Sequence, residues 1–138
     1  MALIRTGTDE RGMPKIGLAF RTELPTYEIG ELTVRPGDVV QQITPFTLVS
    51  LVGGHTFLVE YDRRIRHNPG PPGVFGYGEL DDLVTEGGGF RVLYPTRSLE
   101  ETLWRLDRAD KIMGKSWWEM NCQQATNFVV GIPNRLLA

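Results

Sequence analysis

One cysteine and two histidines are the residues of this chain best suited to nucleophilic chemistry. Cys122 is the only cysteine among 138 residues, and His55 and His67 are the only histidines. A thiolate is a strong nucleophile, and a nearby imidazole can hold the thiol proton and later deliver it to a leaving group. A lone cysteine is more often a small buried apolar side chain. The sequence therefore predicts thiol chemistry only if the fold brings a histidine to Cys122.

The residues around Cys122 indicate that the thiol lies in the first turn of a helix. Asn121 is a favourable N-cap residue, and the residues that follow it carry apolar side chains at helical spacing. Gly131 and Pro133 are expected to end this helix. The free backbone N–H groups and the positive end of the helix dipole favour an anion in the first turn. This position therefore favours the thiolate form of Cys122.

Length and composition predict one globular domain over residues 1–138. Hydrophobic residues make up 41% of the chain and charged residues 23%, which are ordinary values for a folded domain. We expect an N-terminal arm or short strands over residues 1–30 and a core over residues 31–133. A net charge of -2 without a basic stretch argues against a nucleic-acid partner.

No apolar stretch has the length of a membrane span, and the N-terminal residues do not resemble a signal peptide. We therefore expect a cytoplasmic protein without an integral membrane segment, and export by a route without a cleaved signal stays open. A single cysteine excludes a disulfide within the chain.

The pattern of apolar and turn residues predicts an α+β fold, in which an antiparallel sheet packs against helices. Strands are predicted over residues 38–43, 55–62, 65–67 and 90–94, and a loop with a short strand over residues 44–52. The 55–62 strand is apolar on both faces and is expected at the centre of the sheet. Helices are predicted over residues 77–84, 99–114 and 122–131, the second beginning with a capping box at Ser98.

The order of these features resembles that of the circularly permuted papain-like cysteine enzymes of the NlpC-type superfamily. Within it, the lecithin retinol acyltransferase-like branch has a Gly-Asp-hydrophobic segment, a strand that begins with His, a second His, and an Asn-Cys-Glu-His-Phe motif opening a late helix. The matching segments here are Gly37–Val40, His55, His67 and Asn121–Cys122, with Gly131 closing the helix. A related isopeptidase branch shares the His strand and the Asn-Cys helix. The resemblance implies a permuted papain-like core with a partly barrel-like sheet.

Two departures from this family pattern affect the expected substrate more than the expected fold. The motif reads Asn-Cys-Gln-Gln-Ala in this chain. The His strand continues with the bulky residues Thr56–Val59 where the family usually has glycines. Both changes alter the wall of the expected pocket and leave the nucleophile in place.

The resemblance implies a cysteine-dependent hydrolase or acyltransferase that attacks an amide, ester or thioester through an acyl-enzyme. Cys122 would be the nucleophile, His55 the general base and acid, and His67 the residue that orients His55. Glu60 and Asp62 are alternatives to His67 in the third position. No cofactor or metal is implied, because these residues lack the usual spacing of metal ligands. The expected partner is a peptide, amide or acyl substrate, either a small molecule or a protein.

Two other roles stay open. The first is a binding or interaction module that keeps the fold without turnover, such as a phage or effector protein. The second is a small effector that modifies a host protein or a cell-wall peptide.

Gly87–Gly89 lacks the lysine and spacing of a phosphate-binding loop. We further expect the tryptophans to form core and pocket wall (Trp104, Trp117 and Trp118), and three arginines to form a solvated face (Arg63, Arg64 and Arg66).

Overall fold

The computed structural model describes residues 2–8, 14–19, 24–43, 55–86 and 88–132. The loop and strand predicted over residues 44–52, and the helix stop expected at Pro133, lie outside the described residues. The strands are β1 (Ala2–Thr8), β2 (Pro14–Ala19), β3 (Tyr27–Ile29), β4 (Leu32–Val34), β5 (Val39–Ile43), β6 (His55–Val59), β7 (Arg64–His67), β8 (Gly76–Glu79) and β9 (Gly89–Tyr94). The helices are α1 (Leu80–Glu86), α2 (Leu99–Lys111) and α3 (Cys122–Val130).

The strands form three antiparallel sheets, which confirms the predicted α+β class. β1 pairs with β2, and β3 pairs with β4. The remaining five strands form one sheet in the order β8-β7-β6-β5-β9. β6 lies at its centre, as its apolar residues on both faces predict, and four of its five residues are buried.

The expectation of a partly barrel-like sheet is wrong for the described part of the chain. A barrel requires its first and last strands to pair, which removes both edges. Here β8 and β9 are opposite edges of an open sheet, and no ladder joins them among the described strands.

The two faces of the five-stranded sheet cover different elements. On one face, called the α3 face, Val39 and Leu58 pack with apolar side chains of α2 and α3. On the other, called the α1 face, Val40, Phe57 and Val59 pack with α1 and the β3–β4 hairpin. Successive residues of a strand point to opposite faces, so the register of β5 and β6 assigns each side chain to one face.

The predicted capping residues begin both long helices, and the predicted Gly131 ends α3, whereas α2 ends at Lys111, before the predicted end at Gly114. The Ser98 side chain accepts a hydrogen bond from the backbone N–H of Glu101 at the start of α2. Asn121 and Gln124 form a capping box at the start of α3, and Gly131 ends that helix in the left-handed conformation with φ 82°.

The helix predicted over residues 77–84 begins later than expected. Gly76–Glu79 instead pairs with β7 as β8, and the helix starts at Leu80. Pairing with β7 outweighs the weak local preference of a segment that contains two glycines.

Candidate functional site

The hairpin of β6 and β7 brings the two histidines together. His55 is the first residue of β6 and His67 the last residue of β7. The Nε2 atom of His55 lies 2.8 Å from the Nδ1 atom of His67, and the two rings meet edge to face with centroids 5.1 Å apart. This hydrogen bond leaves the Nδ1 atom of His55 and the Nε2 atom of His67 for other partners.

Both imidazoles lie in surroundings that favour the neutral form. Burial, and then the charge of His67, lower the pKa of His55 to about 4. Burial also lowers the pKa of His67 below its usual value. Near pH 7 the pair is therefore neutral, with one ring donating the shared proton and the other accepting it.

Cys122 is the first residue of α3, as the sequence predicts. Its side chain is 7% exposed and lies on the buried face of the helix, together with Ala125, Thr126 and Val129. The capping box at Asn121 and Gln124 holds the first turn in place, with hydrogen bonds of 2.9 and 3.0 Å. The thiol thus lies between the helix and the sheet at the end of the dipole that favours an anion.

The residue after each histidine fixes the backbone near Cys122. Thr56 donates a hydrogen bond of 2.9 Å to the backbone carbonyl of Cys122, and its hydroxyl lies 3.0 Å from that of Thr126. The Asn68 side-chain amide donates a hydrogen bond of 3.0 Å to the carbonyl of Met120. The end of the hairpin that carries the histidine pair is therefore also the end against which α3 begins.

The histidine side chains and α3 lie on opposite faces of the sheet. Thr56 points to the α3 face, and its neighbour His55 therefore points to the α1 face, where its ring lies 6.4 Å from that of Phe57. His67 shares this face because it bonds to His55. Within the described part of the chain, no hydrogen bond joins the Cys122 sulfur to either imidazole. The structure brings together the two histidines, and it brings Cys122 to the same end of the hairpin by backbone contacts.

Of the three candidates for the third position, His67 is the one that contacts His55. The Glu60 carboxylate instead accepts a hydrogen bond of 2.8 Å from Arg66. Asp62 lies in the turn between β6 and β7, where its backbone N–H donates to the Tyr27 hydroxyl. The roles of the three predicted site residues in a reaction stay predictions.

The expectation of a solvated arginine face is wrong for Arg66. This side chain is fully buried and bonds to Glu60, to Asp110 and to the backbone carbonyl of Leu106. The alternation along β7 points it to the α3 face, where a charged group requires paired carboxylates.

Of the expectation that the tryptophans form core and pocket wall, the core position is wrong for two of the three. Trp104 is 48% exposed and Trp118 is 77% exposed. Trp118 belongs to the irregular segment between α2 and α3, and its ring meets that of Trp117 edge to face, with centroids 5.1 Å apart. No element of the described chain covers Trp118, so it stays at the surface.

A cleft of about 530 Å³ opens on the α1 face. Ile29, Leu32, Val84 and Phe90 contribute apolar walls, and Glu31 contributes a carboxylate. The cleft lies on the sheet face of the histidine pair, because the Phe90 ring packs edge to face on Phe57. Its volume is within the range of small-molecule pockets.

Sequence reasoning missed the contacts that Thr56 and Asn68 make with the first residue of α3 and with Met120, which precedes its N-cap. A threonine within an apolar strand and an asparagine before a proline give no signal for contacts with α3, because their partners are distant in sequence.

The described residues contain no group of three or more histidine, cysteine or carboxylate side chains arranged to hold a metal ion. Within those same ranges, no helix is long and apolar enough to cross a membrane.

Comparisons with known proteins found no match for this chain. No family model matches the chain. No curated protein and no solved structure matches it either.

Proposed function

We propose that this protein is a cysteine-dependent hydrolase or acyltransferase that acts on an amide, ester or thioester. The observation that carries the proposal is the half-buried hydrogen bond of 2.8 Å between His55 and His67, at the hairpin end where Cys122 begins a helix. The resemblance of the order His, His, Asn-Cys to the permuted papain-like enzymes supports the same reaction class.

The proposed reaction assigns one proton position to each histidine. The Nε2–H of His55 donates to Nδ1 of His67, which leaves the Nδ1 atom of His55 as the base. This nitrogen takes the Cys122 thiol proton while the sulfur forms a bond to the substrate carbonyl carbon. His55 then gives the proton to the leaving nitrogen, oxygen or sulfur as the carbon–heteroatom bond breaks.

The acyl-enzyme is resolved when water, an amine or a hydroxyl attacks the thioester carbon. His55 accepts the proton of this nucleophile and returns it to the Cys122 sulfur as the carbon–sulfur bond breaks. The backbone N–H of Cys122 supports the negative charge on the carbonyl oxygen in both steps, because the first N–H groups of a helix have no carbonyl partner one turn earlier.

A non-catalytic binding module is the second candidate, and a specific observation favours it. The histidine side chains point to the α1 face whereas Cys122 lies on the α3 face, so the proposed proton transfer requires His55 to reach around the end of the sheet. A binding module requires no such approach. It would use the cleft on the α1 face and would keep Cys122 as a buried packing residue.

The pH dependence of Cys122 alkylation distinguishes the two candidates. The wild type and His55→Ala are treated with iodoacetamide across pH 5–10, and intact mass reports one adduct, because the chain has a single cysteine. The enzyme proposal predicts faster alkylation of the folded wild type than of the guanidinium-unfolded chain near neutral pH. It also predicts that His55→Ala slows alkylation near neutral pH, because the imidazole that takes the thiol proton is absent. Identical profiles in the two folded proteins would contradict the proposal and favour the binding module.

A further inference from the structure

We propose that Gly78 is a positioning residue, whose missing side chain leaves the space that the His67 imidazole needs to reach His55. Gly78 lies in β8 and pairs with Ile65 of β7, two residues before His67 on the same face of the strand. The assignment of a catalytic consequence to this contact rests on the proposed function. The contact between Gly78 and the imidazole does not.

The space beside Gly78 is too small for any side chain. A Cβ atom built on Gly78 would lie 2.7 Å from Nε2 of His67, and 3.2 Å from both Cδ2 of His67 and Cγ1 of Ile65. Ordinary van der Waals contacts of a Cβ atom begin near 3.4 Å, so the imidazole would have to move by about 0.7 Å. A residue without a Cβ atom is therefore needed at position 78 to leave space for the His67 imidazole.

The same strand offers a matched comparison. Gly76 also lies in β8 and pairs directly with His67. A Cβ atom on Gly76 would find its nearest neighbour, the carbonyl oxygen of Val74, at 3.8 Å, which is an ordinary contact. Neither glycine has a positive φ that would exclude alanine. Gly76→Ala and Gly78→Ala thus carry the same change in strand propensity, and only the second contacts the histidine pair.

The imidazole cannot move away from Gly78 without losing its partner. The strands around it are held by the β7–β8 ladder and by the hydrogen bond of 2.9 Å from the Leu80 N–H to the Arg63 carbonyl. The sheet order β8-β7-β6 places His67 between Gly78 and His55, so a ring displaced from Gly78 by about 0.7 Å is pushed toward His55. A contact of 2.8 Å cannot shorten by that amount, so the ring would have to turn and lose the alignment of its hydrogen bond with His55. His55 would then lose the acceptor that fixes its tautomer.

The first test reads the imidazoles directly. Long-range ¹H–¹⁵N spectra of the histidine-labelled protein at pH 7.5 report the tautomer of each ring, and the signals are assigned with His55→Ala. In the wild type and Gly76→Ala we expect one fixed tautomer for His55. In Gly78→Ala we expect tautomer exchange at His55. Identical histidine spectra for Gly76→Ala and Gly78→Ala would overturn the proposal.

A shorter side chain at position 67 tests whether the contact is the cause. His67→Asn removes the ring atoms that a Cβ on Gly78 would meet. We therefore expect Gly78→Ala to leave the His55 spectrum unchanged in the His67→Asn background. The urea midpoint should fall by less there than in the wild-type background, because only the 3.2 Å contact with Cγ1 of Ile65 remains. If Gly78→Ala does not fold alone, folding of the double variant supports the proposal. Failure of both to fold, or an equal loss of stability in both backgrounds, would overturn it.

Alkylation of Cys122 separates this inference from the proposed function. If the positioning role of Gly78 and the proposed function both hold, Gly78→Ala slows alkylation at pH 7 by about 2- to 13-fold relative to Gly76→Ala. This factor corresponds to the free energy that one hydrogen bond typically contributes. If the histidine spectra change as expected while alkylation is the same in every variant, Gly78 positions the pair and the thiol proposal fails.

Discussion

Removing the Thr56 hydroxyl should weaken the attachment of α3 to the central strand. Thr56 is buried and makes two contacts with α3, at 2.9 Å to the Cys122 carbonyl and 3.0 Å to the Thr126 hydroxyl. Valine has nearly the same shape, so Thr56→Val removes these bonds without creating a cavity. The affected groups of α3 keep a partner, because the single proton of the Thr126 hydroxyl can still donate to the carbonyl of Cys122 or of Gln123, each at 3.1 Å.

The expected loss follows from this count of partners. A hydrogen bond between neutral groups contributes about 0.5–1.5 kcal/mol to stability, and no buried group is left without a partner. We therefore expect Thr56→Val to lower the free energy of unfolding by about 1–2 kcal/mol, measured by urea unfolding at pH 7.5. Thr85→Val is the matched control, because the Thr85 hydroxyl makes a bond of similar length, 2.9 Å, on the exposed side of α1. Its expected change is within about 0.5 kcal/mol.

A double-mutant cycle with Thr126→Val tests the direct contact. The two substitutions remove the same pair of hydroxyls, so their effects should be non-additive by about 0.5 kcal/mol or more. Equal effects of Thr56→Val and Thr85→Val, or strict additivity with Thr126→Val, would refute the reasoning that Thr56 attaches α3 to β6.

Three further outcomes follow from buried charges and exposure. Arg66→Met leaves the Glu60 carboxylate buried without its 2.8 Å partner and should cost about 3–5 kcal/mol in urea unfolding, whereas a loss below about 1 kcal/mol would contradict the described pairing. The pKa of His55 falls from 6.5 to about 4 on folding, so the unfolded chain binds more protons than the folded protein between these pH values. Acidification from pH 7.5 to 5 should therefore lower the free energy of unfolding of the wild type by about 2 kcal/mol more than that of His55→Asn. An equal pH dependence in both proteins would contradict the burial of a neutral His55. Trp118→Ser should change stability by less than about 0.5 kcal/mol in the same assay, and a larger loss would mean that the indole is covered.

The features of the site that depend on local sequence were predictable. Asn121 and Gly131 determine the ends of α3 through backbone geometry within one turn, so the first-turn position of Cys122 follows from the sequence. The pairing of His55 with His67 also follows from a hairpin whose turn lies midway between them. Chain proximity makes both predictions possible.

The sheet face of each side chain was not predictable, because it depends on register. A shift of one residue between β6 and β7 would move every side chain to the other face. The register here is set by a tight turn in which Asp62 and Arg63 have φ values of 62° and 55°, an arrangement that usually favours Asn-Gly. The buried position of Arg66 was missed for a related reason, since its partner Asp110 lies far along the chain.

The measurement that tests the proposed thiol chemistry most directly is the trapping of an acyl-enzyme. The wild type, Cys122→Ser and His55→Ala are mixed with a small p-nitrophenyl ester at pH 7.5, and intact mass and peptide mapping locate the acyl group. The proposal predicts one acyl group on Cys122 of the wild type. It also predicts that the wild type releases p-nitrophenol faster than either variant. Equal rates in the three proteins, or acyl groups only on surface lysines, would contradict it and leave Cys122 as a packing residue.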